Sequence, residues 1–350
     1  MFSDQPAQIL ALVRSGKEIQ IGGPYRDRAA QGQRRRKPSL TQLALGFAAI
    51  YLIWGSTYLG IRYAVETIPP LIMMSARHLI AGVVVFAWAR VRGVPAPSRR
   101  QWGVAGIAGA MLFLGGHGVL AWGEQKVPSG LAALLCATLP LWTVLIARLD
   151  GTEPRLGWRA WVGTLLGFAG VALLMGVDIF GQRLDWAAAA GVLSSAPLWA
   201  LGTSYTRRAD LPSSKILSAA MQMICGGTWL LVVGLLVGEA DRMAVHHLTA
   251  RSMLSLGYLI VFGSIIAFTA YTWLVSASSP FMVSTYAYVN PVIAVFLGWT
   301  LAGEALNLRV LVATLVIVAG VILVSTRSER SVEVRHRVSL SGWRAETDGA

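Results

Sequence analysis

Charge-free apolar segments, each the length of one helix, recur along this chain, and no soluble architecture absorbs so many of them. Residues 38–61, 101–123, 127–147, 160–177, 186–206 and 216–238 contain no Asp, Glu, Lys or Arg. A helix that crosses a bilayer needs about 20 predominantly apolar residues, so each segment is long enough for one crossing. The stretch 252–303 is also uncharged and too long for a single helix; SASSP at 276–280 supplies the turn that divides it. Residues 310–326 give a further span, and 69–90 another with Arg77 and His78 inside it. The expected fold is therefore an all-α membrane protein of ten transmembrane helices. Composition agrees: 13% of the residues are charged, against about 25% in a soluble domain.

The net charge of +13 would point to nucleic acid in a soluble protein, so the placement of the basic residues decides. Eight lie in the N-terminal tail, four, three and three in the loops after the second, fourth and sixth spans, and five in the C-terminal tail. The other side holds Lys126, Arg183, Arg242, Arg251 and Arg309. Positive charge retained on the inner face explains this alternation without nucleic acid and predicts both termini in the cytoplasm. Residues 1–40 and 327–350 read as polar, basic, disordered tails, with RRRK at 34–37 an orientation signal or an anionic-lipid contact. Cys136 and Cys225 fall inside spans and form neither a disulfide framework nor a CxxC pair. ILALV at 9–13 is too short for a signal-peptide core.

An internal repeat organises the rest. AWGEQKVPSGLAALLCATLPLWTVLIARLDGTEP aligns without a gap to TWLVSASSPFMVSTYAYVNPVIAVFLGWTLAGEA, pairing Trp122 with Trp273, Pro140 with Pro291 and Glu153 with Glu304 at one offset. AGVALL at 169–174 matches AGVILV at 319–324. The repeat unit holds five helices, an odd number, so the second copy must enter the membrane in the opposite sense. The halves are expected at 41–178 and 184–326, as inverted repeats of the kind on which secondary transporters build alternating access.

YLIWGSTYLGIRYAVETIPPLIMMSARHLIAG at 51–82 closely resembles the start of the EamA family of the drug/metabolite transporter superfamily, through Trp54-Gly55-Ser56, Pro69-Pro70 and Arg77. A proline in the fourth helix of each half, a Glu after it and the closing AGV helices are similar too. The resemblance covers about residues 41–326 and implies a ten-helix bacterial inner-membrane permease in two five-helix repeats. Members are mostly exporters of amino acids, other small metabolites or drugs, working without ATP. The chain agrees in having no GxxxxGK[ST] phosphate loop and no cofactor motif.

Several positions break the apolar pattern, and each has a structural reading beside a functional one. Gly55 allows close packing or a bend, and Ser56 and Thr57 either bond backbone carbonyls or line a polar cavity. Trp54 lies too deep for an interfacial belt. Arg62 stands near the outer end of the first helix with Glu66 at i+4, where snorkelling is the plain explanation. Arg77 lies deep in the second helix, where an unpartnered charge costs at least about 2.5 kcal/mol. Its partner is a backbone carbonyl, water or a substrate carboxylate.

His78 and His117 are candidate proton carriers or hydrogen-bonded core residues. Glu124 is a candidate coupling carboxylate or an interfacial residue. Pro140 and Pro291 each free a carbonyl in mid-helix, which survives at membrane depth only where it is buried or lines a cavity. Tyr286 and Asn290 share a face at i and i+4. Trp199, Gln222 and Tyr271 complete the candidate lining, against the alternative that aromatics fill packing positions. GTLLG at 163–167 is a helix-packing motif.

The expected function is a secondary transporter, an exporter of small metabolites such as amino acids or drug-like amphipathic solutes. Its alternatives are an uptake permease or exchanger of the same fold, and a membrane sensor or scaffold. An intramembrane enzyme is disfavoured: no span holds HExxH or DxxD.

Overall fold

The computed structural model describes residues 39–149, 158–175, 185–243, 247–277, 286–320 and 322–323. The tails with their RRRK run, Glu153 and most of the 276–280 turn lie outside these residues. Helices account for almost all of what is described. They are α1 (Leu40–Ala64), α2 (Pro70–Val91), α3 (Arg99–Gly123), α4 (Ser129–Cys136), α5 (Leu139–Leu149), α6 (Trp158–Met175), α7 (Trp186–Arg208), α8 (Lys215–Leu236) and the single turn α9 (Glu239–Arg242). α10 (Ala250–Tyr258) runs on through a π-helical segment, Leu259–Ile266, into α11 (Ala267–Ala277); α12 (Tyr286–Ala302) and α13 (Leu308–Gly320) follow.

By length and composition Leu40–Ala64, Pro70–Val91, Arg99–Gly123, Lys215–Leu236 and Ala250–Tyr271 are each able to cross a membrane. Ser129–Thr143, Val289–Ala302 and Leu308–Gly320 are shorter apolar helices. Large apolar side chains such as Leu52, Trp88, Trp161, Leu236 and Trp299 stand exposed on the helices, as lipid-facing side chains do and as water-facing ones on a monomer rarely do.

Local chemistry sets the boundaries. Pro70 occupies the first turn of α2, where its missing N–H is no loss. Ser98 and Gln101 form a capping box on α3, and Asp185, Ser214 and Thr249 cap α7, α8 and α10. Gly238 (φ 75°) and Gly303 (φ 66°) turn the chain out of α8 and α12 in the left-handed region open to glycine. A Glu follows each.

One alternative is selected here and one expectation changes. α1 passes through Trp54-Gly55-Ser56-Thr57 without a break, and Gly55 takes the close-packing alternative: a Cβ there would lie 2.8 Å from the Ile293 side chain of α12. Pro140 does not kink a continuous helix. The helix stops at Cys136 and restarts at Leu139, so Pro140 occupies the first turn of α5, a position proline tolerates. Thr138 Oγ1 donates to Leu135 O at the junction. Pro291 does lie inside α12.

The two halves exchange contacts. α1 packs on α10, α11 and α12, while α7 packs on α3, α4 and α5. The first helix of each half, α1 or α7, thus sits on later helices of the other half, and α2 and α8 lie along one another. Each half also carries a π-helical segment, Ala110–Gly118 in α3 and Leu259–Ile266 after α10. The GTLLG motif acts in packing as expected: a Cβ on Gly320 of α13 would fall 2.7 Å from Gly163 O of α6.

Candidate functional site

Where α1, α2 and the second π segment meet, polar side chains face one another inside the bundle. A π turn shifts the hydrogen-bond ladder by one residue and releases carbonyls from it. Trp54 Nε1 donates to Gly263 O, a carbonyl of the π segment, at 3.2 Å. The next residue, Ser264, accepts from Arg77 Nε at 2.9 Å. Arg77 is only 4% exposed, and its other polar contact is a long one of 3.9 Å from Nη1 to Met74 Sδ. The buried guanidinium therefore has more donors than partners among the described residues. Ser56 Oγ donates back to Leu52 O and Ile53 O, the backbone-bonding alternative of its sequence reading, and lies 2.6 Å from Tyr258 OH. Thr57 Oγ1 donates to Trp54 O. Trp54 packs between Tyr271 and Tyr286 at centroid distances of 5.2 and 5.1 Å.

The first π segment builds a second cluster. It places Phe113 and His117 towards α2 and α7. His117 Nδ1 lies 3.0 Å from His78 Nε2, with the rings stacked at 18°. Across the other face of His117 stacks Trp199, at 4.6 Å, and Phe113 closes the edge. Two imidazole nitrogens at that distance share one proton between them. His78 and Arg77 are sequence neighbours, so the two clusters adjoin along α2.

A third set ties the helices at the end where α1 finishes and α2 begins. Glu239 Oε2 accepts from Leu71 N and Ile72 N, both at 2.9 Å, capping α2 from across the bundle. Burial pushes this carboxyl's pKa up, while the two N–H groups and Arg242 pull it down. Glu304 does the same for α4: Oε1 accepts from Ser129 N and Oγ, both at 2.7 Å, and Oε2 from Gly130 N at 3.0 Å. Tyr63 OH donates to Leu301 O, and Ser252 Oγ to Tyr63 O. At the start of α7, Asp185 holds Lys126 at 2.6 Å, and that bond keeps the Asp185 carboxyl below its usual range. A cavity of about 200 Å³ remains at this end between Arg62, Tyr63, Glu66, Pro128, Arg251, Leu301, Ala302 and Glu304.

Three more expectations are corrected at this end. Glu66 pairs with Arg251 at 3.4 Å rather than with Arg62. Arg62, instead of snorkelling, turns inward and donates from Nη1 to Glu124 O at 2.7 Å. Glu124 is no interfacial residue: it is 0% exposed. The α1–α10 packing brings Arg251 beside Glu66, whose pair stays exposed, whereas Glu124 is sealed where Arg62 reaches across to its carbonyl.

Of the other candidates, Gln222 bonds Ser218 within its own helix. The Asn290 amide faces the carbonyls of Tyr286 and Tyr51, so the orientation that satisfies it places its nitrogen there, 3.2 and 3.3 Å away, between α12 and α1. Pro140 and Pro291 belong to neither hydrogen-bonded cluster. Ser264, Tyr258 and Glu239 were missed in sequence. The lone Ser in VFGSII was the one available signal, a polar exception in an apolar run.

These features define an all-helical, two-repeat membrane protein whose halves meet around buried polar groups. The chain belongs to the EamA-like transporter family, whose model matches residues 42–176 and 186–326. It is 40% identical over 279 residues to the uncharacterized inner membrane transporter YedA of Escherichia coli (strain K12), covering 79% of this chain and 88% of that one. The uncharacterized transporter YvbV of Bacillus subtilis is 26% identical over 83% of this chain and 93% of its own. Protein PagO of Salmonella typhimurium is 25% identical over 82% and 93%. A protein crystal structure shares the fold with a TM-score of 0.58 at 21% identity, over 84% of this chain and 99% of that one.

Proposed function

We propose that this chain is a secondary transporter that exports small amphipathic metabolites bearing a carboxylate, by alternating access between two inverted five-helix repeats. The single observation that carries the solute class is Arg77: a buried guanidinium whose donors outnumber its partners, bordered by Trp54, Thr57 and the His78–His117 pair. A carboxylate is the ligand that such a group takes with bidentate geometry. The aromatic side chains of Trp54, Trp199, Tyr271 and Tyr286 offer apolar surface to the rest of the solute.

The exchange of first helices between the halves and the π segment in each half support the repeat reading. On this reading ten spans cross the membrane, both termini are cytoplasmic by the distribution of Lys and Arg, and the tied end of α1 faces outward. Alternating access then opens and closes the ends in turn around the Arg77 level.

The test compares metabolites in the medium of cells producing wild type, Arg77→Ala and Arg77→Lys at equal membrane levels. A carboxylate-bearing solute should accumulate outside with wild type alone, since Lys lacks the planar fork. Equal export by all three strains refutes the assignment of Arg77, and no export above the empty-vector control refutes export itself.

A further inference from the structure

Glu124 is the one carboxyl among the described residues whose two oxygens are both buried and without a hydrogen-bond partner. It follows α3 directly, and its backbone is well held: N donates to Leu120 O, and O accepts from Arg62. The cation next to it therefore bonds the main chain and leaves the carboxyl alone. An ionised carboxylate in a dry site with no donor loses its hydration with nothing in return, a cost of several kcal/mol or more. A guanidinium within reach would turn to it first. The arrangement seen, with Arg62 on the carbonyl, fits a neutral acid.

The titratable and charged groups near this carboxyl come from every element around it: Tyr58 and Arg62 on α1, Arg77 on α2, Cys136 on α4 and Glu304 after α12. The α7 helix contributes Ala188 and Val192 against Gly123, and Asp185 at its start is taken by Lys126. Opening the tied end would admit water to this set, and a hydrated carboxyl ionises at a far lower cost than a dry one.

We propose that Glu124 is a proton-binding site that works as a latch: one proton on its carboxyl is required for the α1, α3 and α4 ends to close, and leaves when they part. The proton comes from the solution bathing this end and returns to it on opening, and no bond other than O–H is made or broken. When the latch opens, Arg62 exchanges the Glu124 carbonyl for the carboxylate. This rests on the transporter reading only for what the latch controls, namely when solute passes this end.

The experiment needs no solute. Full-length protein is reconstituted in lipid vesicles, and infrared spectra in light and heavy water are compared between wild type and Glu124→Gln at neutral pH. The wild type should show a protonated-carboxyl stretch, shifted in heavy water and missing from the variant; its absence overturns the proposal. Backbone hydrogen exchange over residues 60–72 and 124–132, corrected for the chemical exchange rate, then reports opening. Between the carboxyl's midpoint in the open state and its higher midpoint in the closed state, wild-type opening should rise by about tenfold per pH unit, the slope of one linked proton. Glu124→Gln should stay closed and flat. An equal slope in the variant overturns the latch.

Arg62→Gln guards against a misfolded Glu124 variant: it should keep the infrared band while lowering opening at high pH, and loss of the band in it counts against the proposal. Failure of either measurement leaves the export reading standing. Absence of flux in the metabolite assay leaves the latch standing.

Discussion

Replacing Glu304 by Ala removes the carboxylate that holds the start of α4, and its cost can be worked from the contacts. Glu304 accepts three bonds, from Ser129 N, Ser129 Oγ and Gly130 N. Ser129 is 0% exposed, so its N–H and hydroxyl lose their partner without gaining water. Hydrogen bonds to a charged group contribute about 1.5–3 kcal/mol each, and loss of an ordinary helix cap costs about 0.5–2 kcal/mol. The three bonds share one carboxylate and one short helix, so they do not add in full. Favourable interaction with the helix dipole accounts for a further 0.3–1 kcal/mol or so. About 3 kcal/mol is the expected loss for Glu304→Ala, and about 1 kcal/mol for Glu304→Gln, whose amide oxygen still accepts. The assay is reversible unfolding in mixed micelles, with a double-mutant cycle through Ser129→Ala. An Ala variant within about 0.5 kcal/mol of wild type, or a coupling energy near zero, would refute the reasoning, since an interaction energy of at least 0.5 kcal/mol is the mark of residues sharing a network.

Other substitutions test separate parts of the fold. Ser264→Ala takes away the hydroxyl that accepts from Arg77 Nε and should destabilise by about 1–3 kcal/mol in the same unfolding assay, the penalty for leaving a buried donor unmet. Gly320→Ala brings a Cβ against the Gly163 backbone of α6, which cannot yield as a side chain would; overpacking of this kind costs about 1–3 kcal/mol, and Gly103→Ala, with open space at its Cβ, is the control that should not destabilise and should gain about 0.5–1 kcal/mol of helix propensity. Asp185→Asn keeps a cap on α7 but ends the pair with Lys126. A carboxyl held below its usual pKa adds stability above its unfolded pKa and loses it as pH falls through the folded value. The difference between Asp185→Asn and wild type should therefore vanish in acid, and it should shrink with added salt because the pair is exposed.

The sequence alone determined that this chain lives in a bilayer, that it consists of two related halves, and which residues break the apolar pattern; of the expected spans, five correspond, among the described residues, to helices long and apolar enough to cross a membrane. Runs of uncharged residues and a shared offset are one-dimensional signals, and lipid imposes them directly on the chain. Arg77, His117 and Trp54 stood out for the same reason, each a polar or bulky exception inside an apolar run. The tertiary structure decided the partners. Arg62 and Glu66 sit four residues apart, yet Arg62 reaches the Glu124 carbonyl after α3 and Glu66 pairs with Arg251 of α10, because α1 runs between different neighbours. Glu124 looked interfacial by its place in the chain and is sealed, because neighbouring helix ends fold over it. Glu239 and Glu304 cap helices 168 and 175 residues away. Burial and pairing between distant segments depend on how helices cross, and no local pattern encodes that. Ser264 became a partner of Arg77 only when a π turn set its direction, and the energies separating π from α geometry over one turn are too small to read from residue types.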